Sequence, residues 1–357
     1  MPTRFTLTFL AAAAAFSLIA ARDWAQNNEM NVQFHGFQDV RGVTVLSPTV
    51  DLTQDYTERT NLRVNYGLDT ISAASDSCVR CHNDGVNSHR QVFGLSATRK
   101  YNDLKVTIGG AYSKENFYRA TTGSVSVSRD LANGNTTVAG GFSFSLNQPM
   151  LHPLPEYENQ YQSGAFISVT QTLTKSTIAQ AGYELSHIAG YQNNPYLRAD
   201  VNGMMVLGNV PDARTRQTLS ARLRQALPAA TYAEADYRRY IDDWEVKSNT
   251  VSVGLSHYFR PDVLFALTYR RYDQAGAFFW APQYTGAPQY YTADFRLEPF
   301  ASNTYTGRIE IAPKGSWWLL PEGTALTVQY ERYGADNGFG ASIVSTGLRV
   351  PLKVVNR

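Results

Sequence analysis

The only two cysteines of this 357-residue chain lie within Cys78-Val79-Arg80-Cys81-His82. C-x-x-C-H is the attachment signature of a c-type haem. Its two thiols add to the haem vinyl groups, and the adjacent histidine offers a ring nitrogen to the iron. On this reading Cys78, Cys81 and His82 hold one haem c. His89, seven residues further on, is then the candidate sixth ligand, so that His82 and His89 bind the metal. His35 lies before the first certain strand, and His152, His187 and His257 read as loop or strand-end residues. Two other chemistries use the same side chains. Exported thiols oxidise readily, so Cys78 and Cys81 also suit a small structural disulfide. Cys78, Cys81, His82 and His89 would suit a different metal ion if they converged within one loop.

A second set of reactive side chains is spaced every other residue. Arg222 and Arg224, then Glu234, Asp236 and Arg238, and further on Arg308 and Glu310, place charges in mid-strand positions. A water-filled lumen tolerates charges there and gives their alternation a reason. With a turn centred on Pro228, Arg222 falls opposite Glu234 on the neighbouring strand. Such a pair either satisfies polarity across the strands or lines a pore that selects solute charge. No spacing singles out a Ser/His/Asp set or an acidic pair, so enzyme activity is not expected.

The elements that must carry these residues are strands. Leu104, Val106, Ile108 and Tyr112 alternate with Lys105, Thr107, Gly109 and Ala111. Phe142, Phe144 and Leu146 alternate with Gly141, Ser143 and Ser145; Leu326, Val328 and Tyr330 with Thr327, Gln329 and Glu331. A repeat of two puts one set on each face of a strand. A β-sandwich also alternates, but its strands average about 5–6 residues, whereas a tilted membrane-spanning strand needs about 9–11. The runs here match the longer class, which predicts an all-β, transmembrane, antiparallel up-and-down barrel.

Tight turns are readable at Tyr101-Asn102-Asp103, Ala132-Asn133-Gly134-Asn135, Lys175-Ser176, Pro228-Ala229 and Arg260-Pro261-Asp262. Each carries residues suited to a turn. Longer connections fall near residues 72–89, 148–162, 189–213 and 275–301. Pro149, Pro153, Pro155, Pro195, Pro211, Pro282 and Pro288 argue against central strands there. Short turns are expected in the periplasm and long loops outside. Counting gives about 14 strands from Asn61 to Leu352, and 16 if Asn31–Asp39 and Gly42–Asp55 also span, which is the favoured number. Tyr237, Tyr240, Trp244, Tyr258, Phe259, Tyr269, Tyr272, Trp317, Trp318, Tyr330 and Tyr333 suggest interfacial girdles. The chain lacks the terminal aromatic of many such barrels: either the last strand closes near Leu352 with a short tail or the assembly signal is atypical.

The N-terminus reads as an export signal: a short basic start at Arg4, an apolar run from Phe5 to Ala21, then Arg22. The expected organisation is a signal peptide over 1–21, a linker over 22–30 and a barrel over 31–357 with the C-x-x-C-H loop at 72–89. Low mean hydropathy excludes a helical membrane protein. A formal net charge of +2 gives no basis for binding nucleic acid. Outer-membrane lipid is the expected surrounding, in a Gram-negative envelope.

Three stretches resemble an uncharacterised bacterial family of outer-membrane barrels, a domain of unknown function. They are Thr70-Ile71-Ser72-Ala73-Ala74-Ser75 leading into the C-x-x-C-H, Tyr237-Arg238-Arg239-Tyr240-Ile241-Asp242-Asp243-Trp244-Glu245-Val246, and Tyr269-Arg270-Arg271-Tyr272-Asp273-Gln274-Ala275. The resemblance implies an outer-membrane barrel over nearly the whole mature chain and supplies no activity. There is a looser likeness to the barrel partners of multihaem cytochromes in porin–cytochrome conduits, which look like sheaths for a cytochrome and can carry a C-x-x-C near the N-terminus; this chain is much shorter than a full sheath. Two functions follow as expectations. One is a barrel with a single haem c on a loop, serving electron transfer or redox sensing beside a periplasmic or surface cytochrome. The other is a porin or transport barrel whose Cys78–Cys81 pair is a disulfide, with no haem.

Overall fold

The computed structural model describes residues 28–73, 86–151, 156–194, 197–315 and 320–352. The signal segment, Cys78, Cys81, His82, Trp317 and Trp318 lie outside the described residues.

Alternation of apolar and polar residues converts almost the whole described chain into long strands. The first seven are β1 (Glu29–Asp39), β2 (Val43–Thr57), β3 (Thr60–Ala73), β4 (Val86–Tyr101), β5 (Leu104–Glu115), β6 (Tyr118–Leu131) and β7 (Thr136–Leu151). After the short β8 (Glu156–Tyr157) come β9 (Gln160–Thr174) and β10 (Thr177–Gly190). A small loop hairpin, β11 (Arg198–Val201) and β12 (Met204–Leu207), precedes β13 (Ala213–Leu227), β14 (Thr231–Asp242), β15 (Lys247–Arg260) and β16 (Val263–Gln274). The chain finishes with β17 (Phe300–Ile311), β18 (Ala325–Ala335) and β19 (Gly340–Pro351).

Leaving aside β8, β11 and β12, these strands form a closed antiparallel barrel of 16 strands. Each pairs with the next, and β1 closes the ring on β19 from Glu29↔Pro351 to Asp39↔Ala341. Closure removes both sheet edges, so every mid-strand backbone group finds a partner without water. The two weakest candidates in the sequence, now β1 and β2, are full members. β1 begins at Glu29, inside the expected linker, and β19 ends at Pro351, followed by Leu352, whose N–H donates to the Asn28 carbonyl.

Register sorts the side chains onto two faces. Phe142, Phe144, Leu255, Leu267 and Ile309 project outward and are exposed. They form an apolar surface that only a lipid environment would cover. Leu255 and Leu267 are directly paired across β15 and β16, at the middle of the wall. The inward face is polar: Thr98 and Thr107 share a hydrogen bond of 2.8 Å, and Thr122 and Ser145 one of 2.7 Å. The expected girdle is corrected at five positions. Tyr240, Tyr258, Tyr272 and Tyr333 fall on the inward register, and Trp244 is buried at 4% exposure.

The five readable turns, with Glu58-Arg59, gather at one end together with both ends of the described barrel. Asn102, Asn133 and Ala229 adopt the left-handed backbone such turns demand. The longer connections lie at the opposite end, but strands reach further into them than proline counting suggested. Pro149 is part of β7, opposite Tyr118 near the strand end, where its missing N–H disturbs least. The division by length does not hold throughout: at the long-loop end the connections at 40–42, 116–117, 243–246 and 336–339 are short, and at the short-turn end β17 and β18 are widely separated in sequence.

Candidate functional site

The segment expected to bind haem is only partly described. His89 is not a loop residue: it belongs to β4, opposite Thr70 on β3. It shares the outward register of Phe93 and Leu95 and is exposed, with Nδ1 3.5 Å from the Thr70 hydroxyl. A ligand role for His89 would therefore be played from the outside of the wall. His35 instead faces the lumen, 2.7 Å from the Ser345 hydroxyl. Among the described residues no three His, Cys, Asp or Glu side chains converge as a metal site.

The predicted lumen charges share the inner face of β13 and β14. The register is centred one residue beyond Pro228, at Ala229, which moves each direct partner by two positions and keeps the face. Arg222 therefore stands opposite Asp236 rather than Glu234, and Arg224 opposite Glu234. Arg222 hydrogen-bonds Asp236 and also approaches Glu234 at 3.8 Å, while the Arg224 Nε donates to Glu234. Arg238 lies 3.6 Å from Glu184 on β10. These side chains remain about half exposed to the lumen, where an ion pair contributes about 0–1 kcal/mol. The ladder satisfies its own charges more than it offers them to a solute.

At the long-loop end the lumen is narrowed by structure that alternation could not reveal. Residues 275–299 fold back against the β11–β12 hairpin: Asn209 and Tyr291 exchange both backbone hydrogen bonds, at 2.9 and 2.8 Å. The Asn202 side chain donates to the Gly286 carbonyl and accepts from its N–H. The buried Tyr284 hydroxyl donates toward the carbonyls of Phe279 and Thr292 and accepts from the Thr292 N–H. An apolar cluster of Val210, Trp244, Val246, Ala277, Phe279 and Leu297 locks these pieces together, with the Trp244 and Phe279 rings edge to face at 5.2 Å. The result is a small packed cap against one side of the barrel mouth.

One carboxylate ties the cap to the wall. Asp242, at the end of β14, has no exposed side-chain surface. Its Oδ1 accepts the backbone N–H groups of Trp244 and Val246, each at 3.0 Å, holding the turn into β15. Its Oδ2 accepts from the Arg214 Nε at 2.8 Å and the Tyr240 hydroxyl at 2.6 Å. The Arg214 guanidinium in turn lies over the Trp244 ring at 4.3 Å. On the cap, Arg296 grips Asp294 through two nitrogens, and that hydrogen bonding raises its pKa above the ordinary arginine value. Burial likewise pushes the Tyr191 phenol up, so it remains a neutral hydrogen-bond donor.

Gly190 sets the angle at which the chain leaves β10 for the cap. Its φ is +102°, and a Cβ there would stand 2.3 Å from the Asn159 carbonyl oxygen. Gly190→Ala is expected to cost about 1–3 kcal/mol of local stability from backbone strain alone. Faster proteolysis of the outer loops, with the barrel itself intact, is the readout. An unchanged cleavage rate would contradict the geometry.

Beneath the cap is a cavity of about 890 Å³, bordered by Glu184, Arg214, Arg216, Arg238, Tyr240 and Arg296 among others. A second cavity of about 520 Å³ continues along the same wall past Ser220, Arg222, Asp236 and Arg270, sharing Glu184, Arg238 and Thr250 with the first. Of these residues only Arg222, Asp236 and Arg238 were singled out from sequence as facing the lumen. Arg214, Arg216 and Arg296 were not, although Arg214 and Arg216 continue the every-other-residue register of Arg222 and Arg224.

The barrel has the architecture of outer-membrane porins. Acinetobacter baumannii OccAB1 superposes with a TM-score of 0.51 at 9% identity, over 92% of this chain and 97% of that one. The siderophore receptor PirA of Pseudomonas aeruginosa gives 0.50 at 11%, over 93% of this chain and 64% of that one. A BenF-like porin from Pseudomonas fluorescens Pf-5 gives 0.48 at 9%, over 92% and 99%. Such identities speak to the fold alone. No curated protein matches the sequence. Residues 153–339 match the family described as "Protein of unknown function (DUF3570)". That span includes the Tyr237–Val246 and Tyr269–Ala275 stretches but not the C-x-x-C-H segment, so the match is shorter than the whole-chain resemblance expected. Matching more than half of its length, the chain belongs to the DUF3570 family.

Proposed function

We propose that this protein is a passive outer-membrane channel, admitting small polar solutes through a lumen narrowed by its outer loops. The observation that carries this reading is the pair of neighbouring cavities along the β10–β13–β14 wall, which share Glu184, Arg238 and Thr250 and are lined by charged side chains. A structural plug would bury its polar groups against one another. Here Arg222, Arg224, Arg238 and Glu184 keep 43%, 58%, 57% and 59% of their side-chain surface exposed. The porin-like fold supports the same conclusion, while electron transfer through a haem finds no support in the fold.

Liposomes containing the refolded, full-length protein should swell in isotonic solutions of small sugars and amino acids, and progressively less as solute size rises. No swelling from correctly folded barrels would refute the proposal. A further prediction separates it from the haem reading. Replacing Cys78 and Cys81 together with serine should leave solute flux unchanged, because the cavities that carry the channel reading are built by the β10–β13–β14 wall and the 275–299 cap. A loss of flux in folded double-serine protein would return the C-x-x-C-H segment to the centre of function.

A further inference from the structure

Around the larger cavity the cationic side chains are matched, with one exception. Arg214 is held by Asp242, Arg238 faces Glu184, and Arg296 is held by Asp294. Arg216 points inward between them, opposite Ser186 on β10 and Asp242 on β14. Both Asp242 oxygens are already engaged by Arg214, Tyr240 and two backbone amides. Among the described residues Arg216 enters no ion pair, and its Nε, shielded from solvent, has no hydrogen-bond partner. A guanidinium left in that state carries an uncompensated desolvation penalty. An acceptor bonding the other nitrogens of the same guanidinium from the cavity would offset it.

The surroundings indicate what kind of acceptor. At about 890 Å³ the cavity falls within the range of small-molecule sites and is far larger than a lone inorganic ion needs. Ile188, Val210 and Tyr191 border it along with Arg216, placing apolar surface and a phenol beside the cation. A carboxylate matches the planar fork of a guanidinium, and a flat apolar body matches the adjoining surface. We infer that Arg216 anchors a binding site for small organic anions, the charged end on its guanidinium and the apolar end against Ile188 and Val210. This rests on the channel reading, which supplies the route by which the anion arrives.

The test is current through the full-length protein in planar bilayers bathed in potassium chloride, with benzoate as the probe and benzamide as its neutral counterpart. Benzoate is expected to reduce the current and benzamide to leave it unchanged. Arg216→Gln should weaken the benzoate block at least about tenfold, the effect of losing one charge-assisted hydrogen bond. Arg216→Lys, which keeps the charge, should recover part of the block. Arg63→Gln removes a lumen charge that is paired with Asp51 on β2, away from the cavity. It should leave the block intact. Equal block by benzoate and benzamide, or equal block in wild type and Arg216→Gln, overturns the site while the channel stands. No current from any folded variant overturns the channel reading itself.

Discussion

Replacing Asp242 with alanine is expected to release the cap from the barrel mouth, costing about 3–5 kcal/mol of local stability. Four donors would lose their acceptor at once: the Arg214 guanidinium, the Tyr240 hydroxyl and the N–H groups of Trp244 and Val246. Arg214 is the severe loss, because its side chain is only 10% exposed and would be left as a buried charge without a counterion. The Trp244 ring packs against both Arg214 and Phe279, so the disturbance reaches the apolar cluster directly. Asp242→Asn should be milder, since an amide can keep the turn acceptor while losing the ion pair. Limited proteolysis of the folded protein reads this out: cleavage within 275–299 should accelerate while the heat-modifiable barrel persists. Larger solutes should also pass in the swelling assay. Wild-type cleavage and wild-type size exclusion in Asp242→Ala would remove the cap from the account.

The second large effect is on the outer face. Leu267→Arg places a charge beside Leu255 in the middle of the lipid-facing wall and is expected to destabilise the barrel by about 2–4 kcal/mol. Thr268→Arg, one residue further on, points into the lumen beside the smaller cavity. It should leave stability nearly unchanged and instead reduce flux by adding bulk. Urea titration in lipid vesicles, followed by tryptophan fluorescence, compares the two. A similar loss in both variants would mean that the face assignment of β16 is wrong.

Those two residues also show why so much of the barrel was legible. Alternation is a local property, and a spanning strand must keep it for ten residues or more, so each strand declares itself. The turns were readable because Asn-Gly, Pro and Asp satisfy local backbone geometry. What alternation leaves open is register by two, which keeps the face and changes the neighbour. The Arg222 partner was displaced in this way by a turn centred on Ala229 rather than Pro228. The cap was illegible for a different reason. The Tyr284 backbone, Asn202 and Asn209 act through contacts between loops far apart in sequence, and no periodicity marks them. Aromatic residues near strand ends misled because Tyr240 and Trp244 serve that cap rather than the membrane interface. Arg216 could have been found by extending the Arg222–Arg224 register backward along β13, but not its lack of a partner, which depends on Asp242 being occupied elsewhere.

Single-channel recording of the purified, refolded, full-length protein in a planar bilayer tests the central claim most directly. The account predicts discrete, reproducible conductance steps from a preparation whose folded state is established by its heat-dependent gel mobility. A preparation equally well folded that inserts and gives no current above the bare lipid would contradict it.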